Sequence, residues 1–552
     1  MRRALRTLLF LCVLGTGVLA QGQTDLAKAQ AHVSAGRFPE AETLLAALVE
    51  REPTNARGWY LLGYARHAQG RMEQALLAHE KAAGFPQTKI NALYNAACAN
   101  ARLGRTEAAF EKLAAAKQAG FSNPTLLASD TDLDSLRNDP RFQTYAPAGS
   151  GADPTFVEEV RVLFEWRGEA ANDQFGWEAR NTGDVDGDGV DDALVSAPYK
   201  SIGGPNAGRI YVYSGKTGKE LFRRDGKPGD FLGIGISPAG DVNADGKDDV
   251  LVGAWGSGNA AGKALVLDGT GAVLHELCLE ESGDRLGWKV APAGDSDGDG
   301  HDDVLVGAPQ AAGGKGRAYL FSGKTGELLA ALEGERAGDG FGGCVAGAVT
   351  DGSALICVGA GNAGPGNRGR AYVYAFAGGT AEPRFTVDPE ATGKNLGRMF
   401  LSFPGDLNAD GTLDLYVSDW EGGPNGVGRA YLHSGKTGER LYALAGQAAG
   451  EGFGIGTAEA GDVDHDGHDD LIIGAWQNSV GAPSAGRVSL FSGKDGSLLR
   501  HYTGTNAGDT FGFDATTLGD VNGDGANDFL ITSAYSGVNG FRSGRVLVLA
   551  GD

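Results

Sequence analysis

The sequence predicts two folds on one chain: an all-α helical repeat array over residues 22–144, then an all-β seven-bladed propeller of four-stranded blades over residues 157–552. Three observations carry this. A 34-residue period marks the first part, at Gly36, Gly70 and Gly104 and at Ala41, Ala75 and Ala109. A unit of 54–58 residues marks the second, opening on Phe-Gly or Leu-Gly at Phe175, Leu232, Leu286, Phe341, Leu396, Phe453 and Phe511. Inside those units an acidic nine-residue stretch recurs six times. Periods of this length signal stacked supersecondary units, none of which buries its apolar face alone.

The chain starts with a basic group (Arg2, Arg3, Arg6), an apolar run (Leu8–Leu14) and a small-residue end (Val18-Leu19-Ala20). This reads as a secretory signal over residues 1–20, of a bacterial kind. Gly15 and Gly17 interrupt a run already too short for a retained membrane anchor, and Cys12 lacks the small residues of a lipoprotein site. The expectation is export to the periplasm, the cell surface or the medium. A net charge of -22 argues against nucleic-acid partners and anionic membrane surfaces. Five cysteines are too few for a disulfide scaffold.

In the first part, glycine falls at the turns between paired helices and alanine where helices approach closely. The middle copy carries Trp59, Leu62 and Gly63. This resembles the tetratricopeptide repeat, in three copies. The stretch Asp130-Thr-Asp132-Leu133-Asp134-Ser-Leu136, running on to Asp139-Pro140-Arg141-Phe142, resembles the capping element that closes such arrays. The resemblance implies a concave groove for a peptide; a plain spacer is the alternative. Residues 145–156 read as a linker.

Each unit of the second part offers four short strands. The first follows Phe-Gly, and the second is an apolar run such as Ala-Leu-Val. The third resembles Gly208-Arg-Ile-Tyr-Val-Tyr213, and the fourth follows a Ser-Gly-Lys-Thr-Gly turn. Four strands repeated seven times predict the propeller. The last unit stops after Gly544–Leu549, so residues 159–166, ahead of the first unit, are expected to supply its fourth strand and close the ring.

The acidic stretch joins first and second strands. Its first, third, fifth and ninth positions carry side-chain oxygens: Asp184, Asp186, Asp188 and Asp192; Asp241, Asn243, Asp245 and Asp249; Asp295, Asp297, Asp299 and Asp303. The pattern continues with Asp406, Asn408, Asp410 and Asp414; Asp462, Asp464, Asp466 and Asp470; Asp520, Asn522, Asp524 and Asp528. The sixth position is always glycine. The seventh varies (Val190, Lys247, His301, Thr412, His468, Ala526), as a backbone-carbonyl ligand permits. Oxygen donors on alternate residues around a glycine turn are what a calcium ion takes. Carboxylates so crowded repel without a counter-ion. An Asp-Gly surface turn is the plainer alternative. An EF-hand is excluded: the twelfth residues (Val195, Val252, Val306, Val417, Ile473, Ile531) are apolar where that loop needs Glu. About six calcium ions with a structural role are expected. The fourth unit, Ala348-Val-Thr-Asp351-Gly-Ser353, has lost the ligand set, and no ion is expected there. Cys344 and Cys357 flank it, as a disulfide or as two buried thiols.

These repeats resemble the FG-GAP family, which includes the N-terminal propeller of integrin α chains. The resemblance implies a binding or adhesion module with its partner on the face opposite the calcium loops. Aromatics after the second strands (Tyr199, Trp255, Trp420, Trp476, Tyr535) are expected to gather there as a rim for a protein or glycan. The Gly-Lys-Thr turns lack the earlier glycine of a phosphate loop. No nucleophile elbow, zinc helix or Cys-x-x-Cys pair occurs, so no catalytic residues are assigned. A polysaccharide lyase, glycosidase or phospholipase on a propeller scaffold is one alternative, and a non-catalytic scaffold is another.

Overall fold

The structure, a computed structural model, describes residues 25–119, 155–279, 282–350, 353–377 and 379–551, with isolated positions between 121 and 142. The expected signal at 1–20 and nearly all of the expected linker lie outside the described residues. The chain divides into two compact units on either side of Thr155 and Phe156.

In the first unit, helices occupy residues 25–34, Phe38–Arg51, Ala56–Ala68, Met72–Ala83, Lys89–Arg102 and Thr106–Gln118. Ala41, Ala75 and Ala109 are fully buried, which lets successive helices approach closely. Gly36, Gly70 and Gly104 turn the chain at φ 67°, 74° and 70°. The capping stretch forms a 3₁₀ turn, Thr131–Leu136. Its Leu133 and Leu136 join Leu93, Phe110 and Phe142 in one core. Asp132 accepts hydrogen bonds from Arg102 (2.6 Å) and pairs with His67 (2.7 Å), tying the cap to two helices.

The second unit contains seven four-stranded antiparallel sheets. Their innermost strands run side by side in sequence order. The seventh (Ala515–Gly519) lies against the first (Ala179–Asn181), so the sheets close into a ring. In six blades the second strand is buried along its whole length, because it is covered by a blade on each side. The outermost strands alternate between exposed and half-buried, as in Leu328–Glu333. At six junctions between blades, the Phe or Leu of Phe-Gly or Leu-Gly forms a parallel bridge with the glycine that opens the preceding blade's third strand, as in Leu232 with Gly208 and Phe175 with Gly544. Gly544 sits at φ 89°, and a Cβ there would collide with the Phe175 carbonyl, so no larger residue fits.

The strand Val162–Arg167 pairs antiparallel with Arg545–Leu549 and is the outermost strand of the last sheet. The ring is therefore shut by joining its two chain ends within one blade. In blade 4, strands Phe341–Thr350 and Ser353–Ala360 run on until Thr350 pairs with Ser353. A tight hairpin replaces the acidic loop. Cys344 and Cys357 are buried free thiols, not a disulfide. They pair with Gly359 and Ala346 rather than with each other, so the strand register holds them apart.

Candidate functional site

The acidic loops share one internal wiring. The first Asp accepts backbone N–H groups from positions ahead of it: Gly187 (2.7 Å) and Asp188 (2.9 Å) donate to Asp184 Oδ1, and Gly189 (2.8 Å) to Oδ2. The third and fifth Asp each accept one N–H two residues on, as Asp186 does from Asp188 (3.0 Å) and Asp188 from Val190 (3.1 Å). The ninth Asp is fully buried and spans two elements. Asp192 Oδ2 accepts from Val185 within the loop (3.1 Å), and Oδ1 accepts from Gly215 in the Ser-Gly-Lys-Thr-Gly turn (3.0 Å). The same turn-to-loop bond recurs from Gly323, Gly435 and Gly493.

In the copies with Asp throughout, carboxylate oxygens converge. Those of Asp184, Asp186 and Asp192 lie within 4.8 Å of one another, as do those of Asp295, Asp297 and Asp299, and of Asp462, Asp464 and Asp470. The loops at 241 and 406 share the wiring, with Asn243 and Asn408 accepting in place of the third Asp; at 520, Asn522 instead donates its amide N–H to the ninth residue, Asp528 (3.0 and 3.1 Å). Burial, then Asp186 nearby, pushes the Asp192 carboxyl up to about 7. Burial, then Asp245 and Asp241, does the same to Asp249, about 7, and burial chiefly raises Asp414 to about 6. Asp249 Oδ1 is buried without a hydrogen-bond partner. Converging all-oxygen donor sets, and buried loop carboxyls that resist ionisation, fit a hard divalent cation.

The turn lysines serve these loops. Lys216 reaches Asp188 (3.6 Å), Lys324 reaches Asp299 (3.7 Å) and Lys494 reaches Asp466 (3.3 Å). Blade 7 has no such turn because its fourth strand comes from the start of the propeller. There Arg161, just ahead of that strand, pairs with Asp524 at 2.8 Å. The Gly-Lys-Thr turns thus act in loop electrostatics.

At the other end of the second strands, aromatic rings, all half-buried except the buried Phe513, form a continuous arc. It runs Trp288, Trp255, Phe231, Tyr199, Trp177, Phe513, Tyr535, Trp476, Trp420, with successive centroids 4.7–6.4 Å apart. The Arg285 guanidinium lies over Trp255 (4.8 Å) and Trp288 (5.7 Å), and that of Arg542 lies over Tyr535 (4.8 Å). The arc is open at blade 4, where Gly343 and Gly361 stand at the positions that carry Trp288 and Trp255 elsewhere. A cavity of about 360 Å³ lies there, lined by Trp177, Trp288, Arg285, Arg398, Gly343 and Gly361.

The FG-GAP repeat model matches residues 175–213, 286–321 and 456–491, and an FG-GAP-like model matches 406–473. The propeller is built of FG-GAP repeats. A tetratricopeptide repeat model matches residues 26–87 of the helical unit. Among curated proteins, the FG-GAP region is similar to integrin alpha pat-2 of Caenorhabditis briggsae, 32% identical over 231 residues, covering 36% of this chain and 18% of that protein. It is also similar to integrin alpha-4 of Xenopus laevis, 36% identical over 141 residues (23% and 14% coverage). Integrin alpha-IIb of Mus musculus is 30% identical over 226 residues (39% and 17% coverage). The chain thus spans less than a fifth of the length of these relatives.

All five rim aromatics expected from the sequence stand in the arc of the FG-GAP propeller. Sequence reasoning missed Trp177, Trp288 and Phe513, which each follow a Phe-Gly or Leu-Gly, and Phe231, which precedes one. That offset was a readable periodic signal. It also missed the eighth loop residue and treated the seventh side chain as idle. Lys247 in fact donates to the Asp186 carbonyl of the preceding blade (2.6 Å).

The channel between the innermost strands holds buried charge. Arg180 pairs with Asp514, and Lys289 with Glu178. Glu459 faces the same space, and burial raises its carboxyl to about 7 against the pull of Arg180. The cavity beside them is about 110 Å³, room for a few waters. Among the described residues no helix is long and apolar enough to cross a membrane.

Proposed function

We propose that this chain is an exported binding or adhesion module whose FG-GAP propeller is stapled by about six structural calcium ions, one per acidic loop. The ions would be held by the first, third, fifth and ninth side chains and the seventh carbonyl of each loop. The partner, a protein or glycan, would dock on the aromatic arc opposite the loops. The observation that carries this reading is the arc with its cavity at blade 4. Eight of its nine rings are partly exposed around one mouth, and aromatics concentrated on a concave rim mark recognition surfaces. Arg285 and Arg542 stack on the arc with no carboxylate partner among the described residues, so the partner's complementary groups are anionic. The helical unit would add a peptide groove.

Binding is favoured over catalysis because the charged channel cluster, where the Glu459 carboxyl is raised to about 7 beside Arg180, opens on too small a space for a sugar ring. The test is binding of the full chain to immobilised uronate-containing glycans and acidic peptides, with calcium present. Trp288→Ala and Arg285→Ala should each weaken binding about tenfold or more, as hot-spot residues do. Unchanged affinity in both, or cleavage of the glycan, would contradict the proposal.

A further inference from the structure

In four loops the eighth residue bonds backwards, out of its own blade. Asp248 of blade 2 accepts the backbone N–H of Asp184, the first residue of the blade 1 loop (3.1 Å). Asp302 of blade 3 accepts that of Asp241 in blade 2 (2.9 Å), and Asp469 of blade 6 that of Asp406 in blade 5 (2.9 Å). Asn527 of blade 7 donates to the Ala460 carbonyl at the approach to the blade 6 loop (3.1 Å). Asp191 of blade 1 departs from the set: its Oδ2 accepts from Asn181 Nδ2 of its own blade (2.8 Å), although it lies close to Gly519, just ahead of the blade 7 loop, where a Cβ would come within 3.2 Å of it. Seventh side chains run the same way. His301 Nδ1 lies 2.8 Å from the Val242 carbonyl and His468 Nδ1 lies 2.7 Å from that of Leu407.

One eighth position is apolar. It is Leu413 of blade 5, and the blade behind it is blade 4, which has no acidic loop. Leu413 packs instead on the blade 4 side chains Leu355 and Cys357. The residue type at this position therefore tracks the presence of a loop on the preceding blade rather than on its own.

We infer that the eighth-position residues couple neighbouring cation loops into two runs, one through blades 5, 6 and 7 and one through blades 1, 2 and 3, with blade 4 as the break between them. This rests on the reading of the loops as cation sites. The mechanism is local. The amide held by Asp248, Asp302 or Asp469 belongs to the Asp whose carboxylate heads the preceding loop. The same eighth side chain is bonded in sequence to the ninth Asp of its own loop. An ion that orders one loop therefore fixes the groups that order the next, and the second ion meets a smaller ordering cost. Groups that hold metal ligands from outside typically change metal affinity 10–100-fold when removed.

The test follows backbone hydrogen exchange of the full chain by mass spectrometry across a calcium titration, for wild type, Asp302→Ala and Asp302→Asn. In wild type, calcium should slow exchange at every acidic loop. Asp302→Ala should raise the calcium midpoint of residues 241–249 about tenfold. It should leave residues 406–414, behind the break, unchanged. Asp302→Asn keeps an acceptor oxygen and should restore most of the wild-type midpoint. A midpoint for 241–249 within twofold of wild type in Asp302→Ala, or a shift confined to 295–303, would overturn the coupling while leaving the cation sites standing. Absence of calcium-dependent protection at every wild-type loop would overturn both.

Discussion

Trp166→Ala tests how the ring is closed. Trp166 lies on the strand from the propeller's start that completes blade 7, and it is 8% exposed. Its ring stacks on Tyr213 of blade 1 at 4.3 Å and 12°, and its indole N–H donates to the Gly218 carbonyl at 2.9 Å. One side chain thus packs across the seam between last and first blades. Truncating a buried Trp to Ala costs about 3–5 kcal/mol. Leaving the Gly218 carbonyl without its donor adds about 1 kcal/mol. A loss of about 4–6 kcal/mol is a third or more of a typical domain's stability, and at about 2 °C per kcal/mol it lowers the propeller transition by about 8–12 °C. The assay is differential scanning calorimetry of the full chain in excess calcium. Leu328→Ala, on an outer strand with 45% exposure, is the control and should stay within about 0.5 kcal/mol. If Trp166→Ala falls no further than that control, the seam does not carry the ring's stability and the reasoning fails.

Other outcomes follow from the same contacts. Gly544→Ala places a Cβ against the Phe175 carbonyl at a positive φ, and should cost about 2 kcal/mol or more in chemical denaturation; a neutral result would mean the inter-blade bridge is dispensable. Glu459 is held up at about 7 in the fold against about 4.3 in an unfolded chain, so the folded state binds the proton more tightly and loses stability as pH rises through that window. Glu459→Gln should therefore gain on wild type between about pH 4.5 and 7, by up to about 3 kcal/mol, and the gap should level off above 7; a pH-independent difference would refute the assignment. Native alkylation followed by mass mapping should modify exposed Cys278 and spare buried Cys98, Cys344 and Cys357; labelling of Cys344 before denaturation would contradict its burial.

Much of this architecture was legible in the sequence because repetition amplifies weak signals. One Phe-Gly means little, whereas seven at near-equal spacing locate each blade, and the missing fourth strand after Leu549 pointed to the strand found at Val162–Arg167. The acidic loops were readable for the same reason. The eighth position was overlooked because its partner lies one blade back, beyond any local spacing rule. Its exception at Leu413 makes sense only once blade 4 is seen beside it. Trp177 and Phe231 were overlooked because they flank a motif already assigned to packing. The channel pairs Arg180–Asp514 and Glu178–Lys289 join blades far apart in sequence, and no periodicity announces them.

The central claim is that divalent ions neutralise the crowded loop carboxylates and so hold the blades in place. Calorimetric calcium titration of the chelator-treated full chain, with melting curves at each point, tests it most directly. The account predicts about six ions bound, matching the six acidic loops, and a propeller transition that climbs steeply as they fill. A melting temperature that is the same with and without calcium would contradict it.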